Sequence, residues 1–173
     1  MQRLDKDSTI YNFTLIRKIR HLKLPLLLYG MAPLSAAVYL TITDSPLSLL
    51  WFAGGLLLLP LLYSAVAGLN IRLLDFAPRG AWSYIWRLPW IGLLPNQYSP
   101  LQSLIRIHHQ LLWIGLAAIC WLYPWMAAKH WLIVIVLHLW YILPRYWFFF
   151  LLQRTKKKGL LKINTRDTSY YVQ

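Results

Sequence analysis

The stretch WLIVIVLHLWYILPRYWFFFLL, residues 131–152, decides the fold. It holds one formal charge, Arg145, and its apolar residues follow one another without a regular polar face. At about 1.5 Å of rise per residue, a helix of this length covers the roughly 30 Å hydrocarbon core of a bilayer. A helix on the surface of a soluble domain would interrupt the run at amphipathic spacing. Three more stretches read the same way, at about 24–43, 47–71 and 111–128, and the third helix has room to begin at Leu101. The expected fold is an all-α bundle of four transmembrane helices filling one membrane domain, 24–152. A basic tail, 1–23, precedes it and a polybasic tail, 153–173, follows. Pro25 suits the first turn of the first span, whereas Pro33 should kink it.

Residues 72–106 break the pattern. They carry Arg72, Asp75, Arg79, Arg87 and Arg106, and Pro89, Pro95 and Pro100 forbid one continuous spanning helix. Trp82, Trp86 and Trp90 recur every four residues, which suggests a short amphipathic helix lying at the membrane surface. A re-entrant hairpin is the alternative, since 88–94 is uncharged but too short to span.

The charges orient the bundle. Of 18 Lys and Arg residues, six precede the first span, four lie in 72–106 and six follow the fourth span. Lys129 alone falls in an outer turn, and Arg145 lies inside a span. The positive-inside rule then places both termini in the cytoplasm and the protein in the cell membrane. The N-terminal stretch reads as an uncleaved signal anchor, because the apolar run is too long for a signal peptide and no small-residue cleavage site follows it. A net charge of +13 with no glutamate suits anionic lipid headgroups, and the basic residues hug span ends, so no nucleic-acid partner is expected. Trp51, Trp121, Trp125 and Trp131 mark one interface; Trp82, Trp86, Trp90 and Trp147 mark the other. Arg79, Trp82, Trp86, Arg87, Trp90, Lys156, Lys157 and Lys158 are the expected contacts to headgroups or to a partner at the cytoplasmic face.

The tails have patterns of their own. Tyr11, Phe13 and Leu15 alternate with Asn12 and Thr14, as in a short strand, with a basic amphipathic helix as the competing reading. Leu161, Ile163, Tyr170, Tyr171 and Val172 suit a second strand, pairing with the first or docking on a partner.

Arg145 is the charge that needs explaining, since an arginine near the bilayer centre costs on the order of 3 kcal/mol on insertion scales. His138, Tyr141 and Arg145 fall on one helix face. Pro144 has no N–H, so it leaves the carbonyl of Trp140 open as an acceptor. Tyr63 and Asn70, with Ser64 beside them, give the second span a comparable stripe. In one reading Arg145 snorkels, pairs with Asp75 or a lipid phosphate and fixes packing. In the other, His138, Tyr141, Arg145, Tyr63 and Asn70 line a polar groove for a headgroup or a partner helix. If the fourth span instead starts near Tyr123, Arg145 reaches the interface itself.

Other chemistry is sparse. One cysteine, Cys120, excludes an internal disulfide and a cysteine-built metal site. Adjacent histidines diverge by about 100° on a helix, so His108 and His109 do not share an ion unaided. The one metal or haem set that survives a comparison of depths joins His21 to that pair, and no cofactor is expected. No phosphate loop, HExxH or nucleophile elbow occurs. The leading expectation is a non-catalytic subunit or accessory protein of a larger membrane complex. A small oligomeric transporter or channel, with a polar path along Tyr63, Asn70, His138 and Arg145, is the alternative. A lipid-modifying or His-metal redox enzyme built on His108, His109 and Asp75 comes third.

Overall fold

The computed structural model describes residues 13–73, 82–88, 90–153, 159–164 and 167–172. Four helices dominate: α1 (Lys23–Thr43), α2 (Pro46–Leu73), α3 (Leu101–Leu122) and α4 (Ala128–Gln153). Each is long and apolar enough to cross a membrane. Their 21 to 28 residues give about 30–40 Å of length. The third helix takes the early start that the sequence allowed and stops short of the expected Ala128. It starts at Leu101, directly after Pro100, and ends at Leu122, where a 3-10 turn (Tyr123–Trp125) holding Pro124 closes it. A proline is well placed at a helix start and poorly placed inside one, which accounts for both ends.

The all-α expectation is corrected by two small antiparallel sheets. The first has the order β1-β6-β5-β4, built from β1 (Thr14–Arg20), β4 (Ser99–Pro100), β5 (Leu160–Ile163) and β6 (Asp167–Val172). Strand β1 pairs with β6 from Thr14 opposite Val172 to Arg20 opposite Asp167. Parts of the two segments expected as tails therefore close on each other, as the alternation in both suggested, and bring Thr14 and Val172 together at one end of the bundle. Arg17 donates to the carbonyl of Leu151 at 2.6 Å, capping the last turn of α4 with a cation, where the helix dipole favours one. Leu161 and Tyr170, both fully buried, press the sheet onto Leu101, Leu104, Phe149 and Leu152.

The second sheet replaces the surface helix expected over 82–90. Strands β2 (Trp82–Arg87) and β3 (Trp90–Pro95) form a hairpin in which Arg87 faces Trp90 across a two-residue loop. Aromatic and β-branched residues favour a pleated strand, and Gly92 takes a φ of +126° that side chains resist. The four-residue tryptophan spacing is also an even spacing, so it puts Trp82 and Trp86 on one strand face as readily as on one helix face. The hairpin tucks in beside the helices: Trp90 and Leu94 are buried, Ile91 and Leu93 pack on the main core, and the tip residue Leu88 lies against Gly30, two turns into α1. Asp75, Arg79, Lys156, Lys157 and Lys158 lie outside the described residues, as does the side chain of Arg87.

Asp167 gives this end a pH dependence. Its carboxylate accepts from Asn164 and Ser169, each at 2.8 Å, and pairs with Lys18 at 3.1 Å. The Asn164 bond leads the causes that hold its pKa down at about 2. The unfolded value is about 3.9, so the bonds stabilise the sheet fully above that pH and fade as pH falls toward 2. With Lys18 half exposed, about 1 kcal/mol is expected after solvent screening. Hydrogen exchange of the β6 amides should therefore quicken roughly fivefold between pH 5 and pH 2 beyond the intrinsic rate. Asp167→Asn should flatten that dependence; an unchanged profile would refute the assignment.

Candidate functional site

The carbonyls opened by helical prolines set the geometry of the interior. Pro144 leaves the Trp140 carbonyl without its usual donor, and Tyr29 of α1 donates to it at 2.6 Å, its ring stacked on Trp140. Pro60 does the same for Leu56, whose carbonyl accepts the hydroxyl of Tyr141 at 2.8 Å. Each proline weakens its own helix, and a tyrosine from another helix supplies the missing bond. Tyr29 and Tyr141 thereby fix α1 to α4 and α4 to α2.

Arg145 sits at the centre of this arrangement. It is 2% exposed, and among the described residues it is the one buried formal charge. Its guanidinium faces the bundle rather than snorkelling outward, and α4 starts too late, at Ala128, to leave it at the helix end. One amino group donates to the carbonyl of Ile91 in β3, and the other approaches Nε2 of His108 at 3.4 Å. His108 Nδ1 lies 2.8 Å from the Leu104 carbonyl, which can only accept, so Nδ1 carries the hydrogen. The Nε2 lone pair is then free to accept from Arg145. The phenols of Tyr29, Tyr63, Tyr84 and Tyr141 lie within electrostatic reach of the guanidinium.

His138 is fixed by the same logic. Its Nε2 donates to the Leu112 carbonyl at 3.2 Å, so Nδ1 accepts the Tyr63 hydroxyl at 2.6 Å. A Cβ at Gly115 would overlap this ring, with Nδ1 only 2.7 Å away. The structure therefore unites four of the five expected stripe residues. Tyr63, His138 and Tyr141 interlock, with the two tyrosine rings edge to face, and Arg145 lies one turn beyond. Asn70 does not join them, since its amide donates to the Val66 carbonyl of its own helix.

The three histidines considered for a metal go to separate partners: His21 to Thr168, His108 to Leu104 and Arg145, and His109 to Tyr146. Among the described residues no group of three His, Cys, Asp or Glu side chains gathers in a metal-holding arrangement. At the opposite end Lys129 pairs with Asp44 at 2.5 Å, and Ser48 donates to the same carboxylate at 2.7 Å. The Lys129 bond leads the causes that hold the Asp44 carboxyl below its usual range. His130 lies 3.0 Å from the Ser48 oxygen, but that hydroxyl's hydrogen already goes to Asp44. A nucleophilic serine needs its proton directed at the imidazole, so this cluster fastens the turn instead.

Sequence reasoning missed Tyr29, Gly115 and the role of His108. The acceptor that anchors Arg145 is a backbone carbonyl, which no pattern of side chains reveals. The signal present for Tyr29 was the pairing of an open carbonyl with a lone phenol in an apolar span. No family model, no curated protein and no solved structure matches the chain.

Proposed function

We propose that the chain is a non-catalytic integral membrane protein, with both termini in the cytoplasm of the cell membrane, that serves as an accessory subunit of a larger membrane complex. One observation carries this reading. The polar groups expected to form a path or a catalytic centre are tied to one another and to backbone carbonyls within the bundle. Arg145, His138 and Tyr141 thus act as internal fasteners. A transport path would need Tyr63, Asn70, His138 and Arg145 in line and open, and this bonding gives that alternative no support. The face toward the cytoplasm holds both sheets, and the Trp86 indole stands 73% exposed there. Large exposed aromatics suit an interfacial anchor or a docking contact.

Incorporating p-benzoylphenylalanine at Trp86 and illuminating native membranes tests the proposal. A discrete protein adduct, reproduced after mild solubilisation, is the expected result. Adducts to lipid alone, with a monomer at native expression levels, would overturn it.

A further inference from the structure

On the exposed faces of α3 and α4, at the end that carries the larger sheet, polar side chains stand on the outside of an apolar bundle. Gln102, Arg106 and His109 of α3 and Gln153 at the end of α4 are all exposed and line one open groove of about 490 Å³. Residues 102, 106, 109 and 113 are four, three and four apart, so they form a single row along the helix. The row changes character as it leaves the sheet. Gln102, Arg106 and His109 are polar, whereas Trp113 and Ile114 beyond them are apolar and stand 67% and 42% exposed. From Gln102 to Ile114 the row covers roughly 18 Å.

Arg106 has no anion of its own. Among the described residues it makes no ion pair and no hydrogen bond, and the two carboxylates there, Asp44 and Asp167, are held by Lys129 and Lys18. No carboxylate lines the groove. Arg106 lies five residues into α3, about 8 Å from its first residue, and helical side chains lean toward the N-terminus. Its long stem therefore lets the guanidinium reach back to the sheet end, where a spanning bundle meets headgroups. Gln102 lies one turn nearer that end, and Gln153 faces the groove from α4. Tyr146 of α4 bonds to the His109 ring and holds it beside Arg106.

The geometry points to a binding site for one anionic phospholipid, its phosphate on Arg106 between Gln102 and Gln153 and an acyl chain laid along Trp113 and Ile114. A guanidinium meets a phosphate with two parallel hydrogen bonds, and the glutamine amides add neutral donors beside it. A partner helix bearing a carboxylate would answer the charge as well, but a row that is polar at the helix end and apolar beyond has the polarity of a lipid. The site rests on the helices spanning a bilayer and not on the accessory role, so a chain without protein partners would still hold the lipid.

The full chain in dodecyl maltoside micelles, titrated with dioctanoyl phosphatidylglycerol and followed by native mass spectrometry, tests it. One saturable equivalent is expected, with dioctanoylglycerol, which has the chains without the phosphate, binding at least tenfold more weakly. Arg106→Gln removes a side chain with no partner among the described residues, so the lipid-free melting temperature should hold. Its affinity for dioctanoyl phosphatidylglycerol should fall about tenfold or more, as for a lost bond to a charged group. Gln102→Leu should weaken binding by about fivefold, as for a neutral bond. Arg72→Gln removes an exposed charge from the last turn of α2, outside the groove, and should leave the affinity unchanged. Equal losses in Arg106→Gln and Arg72→Gln, the mark of general charge attraction, would overturn the assignment. So would equal binding of dioctanoylglycerol, or an unchanged affinity in Arg106→Gln, the result expected where a polypeptide fills the groove instead.

Discussion

Arg145→Met is expected to destabilise the protein by about 3 kcal/mol and to release the hairpin from the bundle. The opposing terms decide the sign. Removing a buried guanidinium relieves a desolvation cost of several kcal/mol, and replacing both partners of a buried charged pair by apolar groups is often neutral. Here one partner cannot be replaced, because the Ile91 acceptor is backbone. Methionine leaves that carbonyl and the Nε2 of His108 facing apolar side chains, and each unmade bond costs about 1–3 kcal/mol. A buried backbone carbonyl persists only where the protein satisfies it. Hydrogen exchange and limited proteolysis should therefore show the damage first over 82–95, with the α2–α4 core holding. Arg145→Met with His108→Leu should recover only the part owed to the imidazole. Wild-type protection of the hairpin in Arg145→Met would refute this account of the arginine.

That dependence explains what the sequence could and could not reveal. The helices were legible because run length and the absence of charge are properties of the chain alone. The face of His138, Tyr141 and Arg145 was legible because helical spacing fixes it. The open carbonyl at Trp140 was legible too, since a proline removes a donor wherever it sits in a helix. The hairpin was not, because tryptophans four apart satisfy both periods and the choice rests on burial between helices. Trp90 and Leu94 are buried by residues from distant parts of the chain, Leu104 and Phe149 among them. Asn70 was misassigned for a related reason. Its seven-residue spacing from Tyr63 put it on the right face, but an asparagine in a helix can turn back to its own i−4 carbonyl, and Val66 offers one. The β1–β6 pairing left only weak alternation in two segments at opposite ends of the chain.

Gly115→Ala is expected to destabilise by about 2–3 kcal/mol, and the same change in a His138→Ala background is expected to stabilise. In an ordinary helix interior, alanine is favoured over glycine by about 1 kcal/mol. Against that gain, a Cβ at Gly115 overlaps the His138 ring, a flat group held on two sides by Tyr63 and the Leu112 carbonyl. The ring cannot step aside without breaking both bonds, and the two helices cannot part without opening the core around Leu111 and Val134. Overpacking at about 1–3 kcal/mol and two weakened hydrogen bonds therefore outweigh the propensity gain. Removing the ring removes the obstruction, and Tyr63 loses its partner equally in both members of the His138→Ala pair, so that loss cancels in the cycle. What remains is the intrinsic preference, and the sign reverses. A double-mutant cycle on unfolding midpoints in one detergent measures the coupling directly, with an expected magnitude of about 3–4 kcal/mol. Two additive substitutions would mean that the ring and the glycine do not meet, and that α3 and α4 approach each other at some other place along their length.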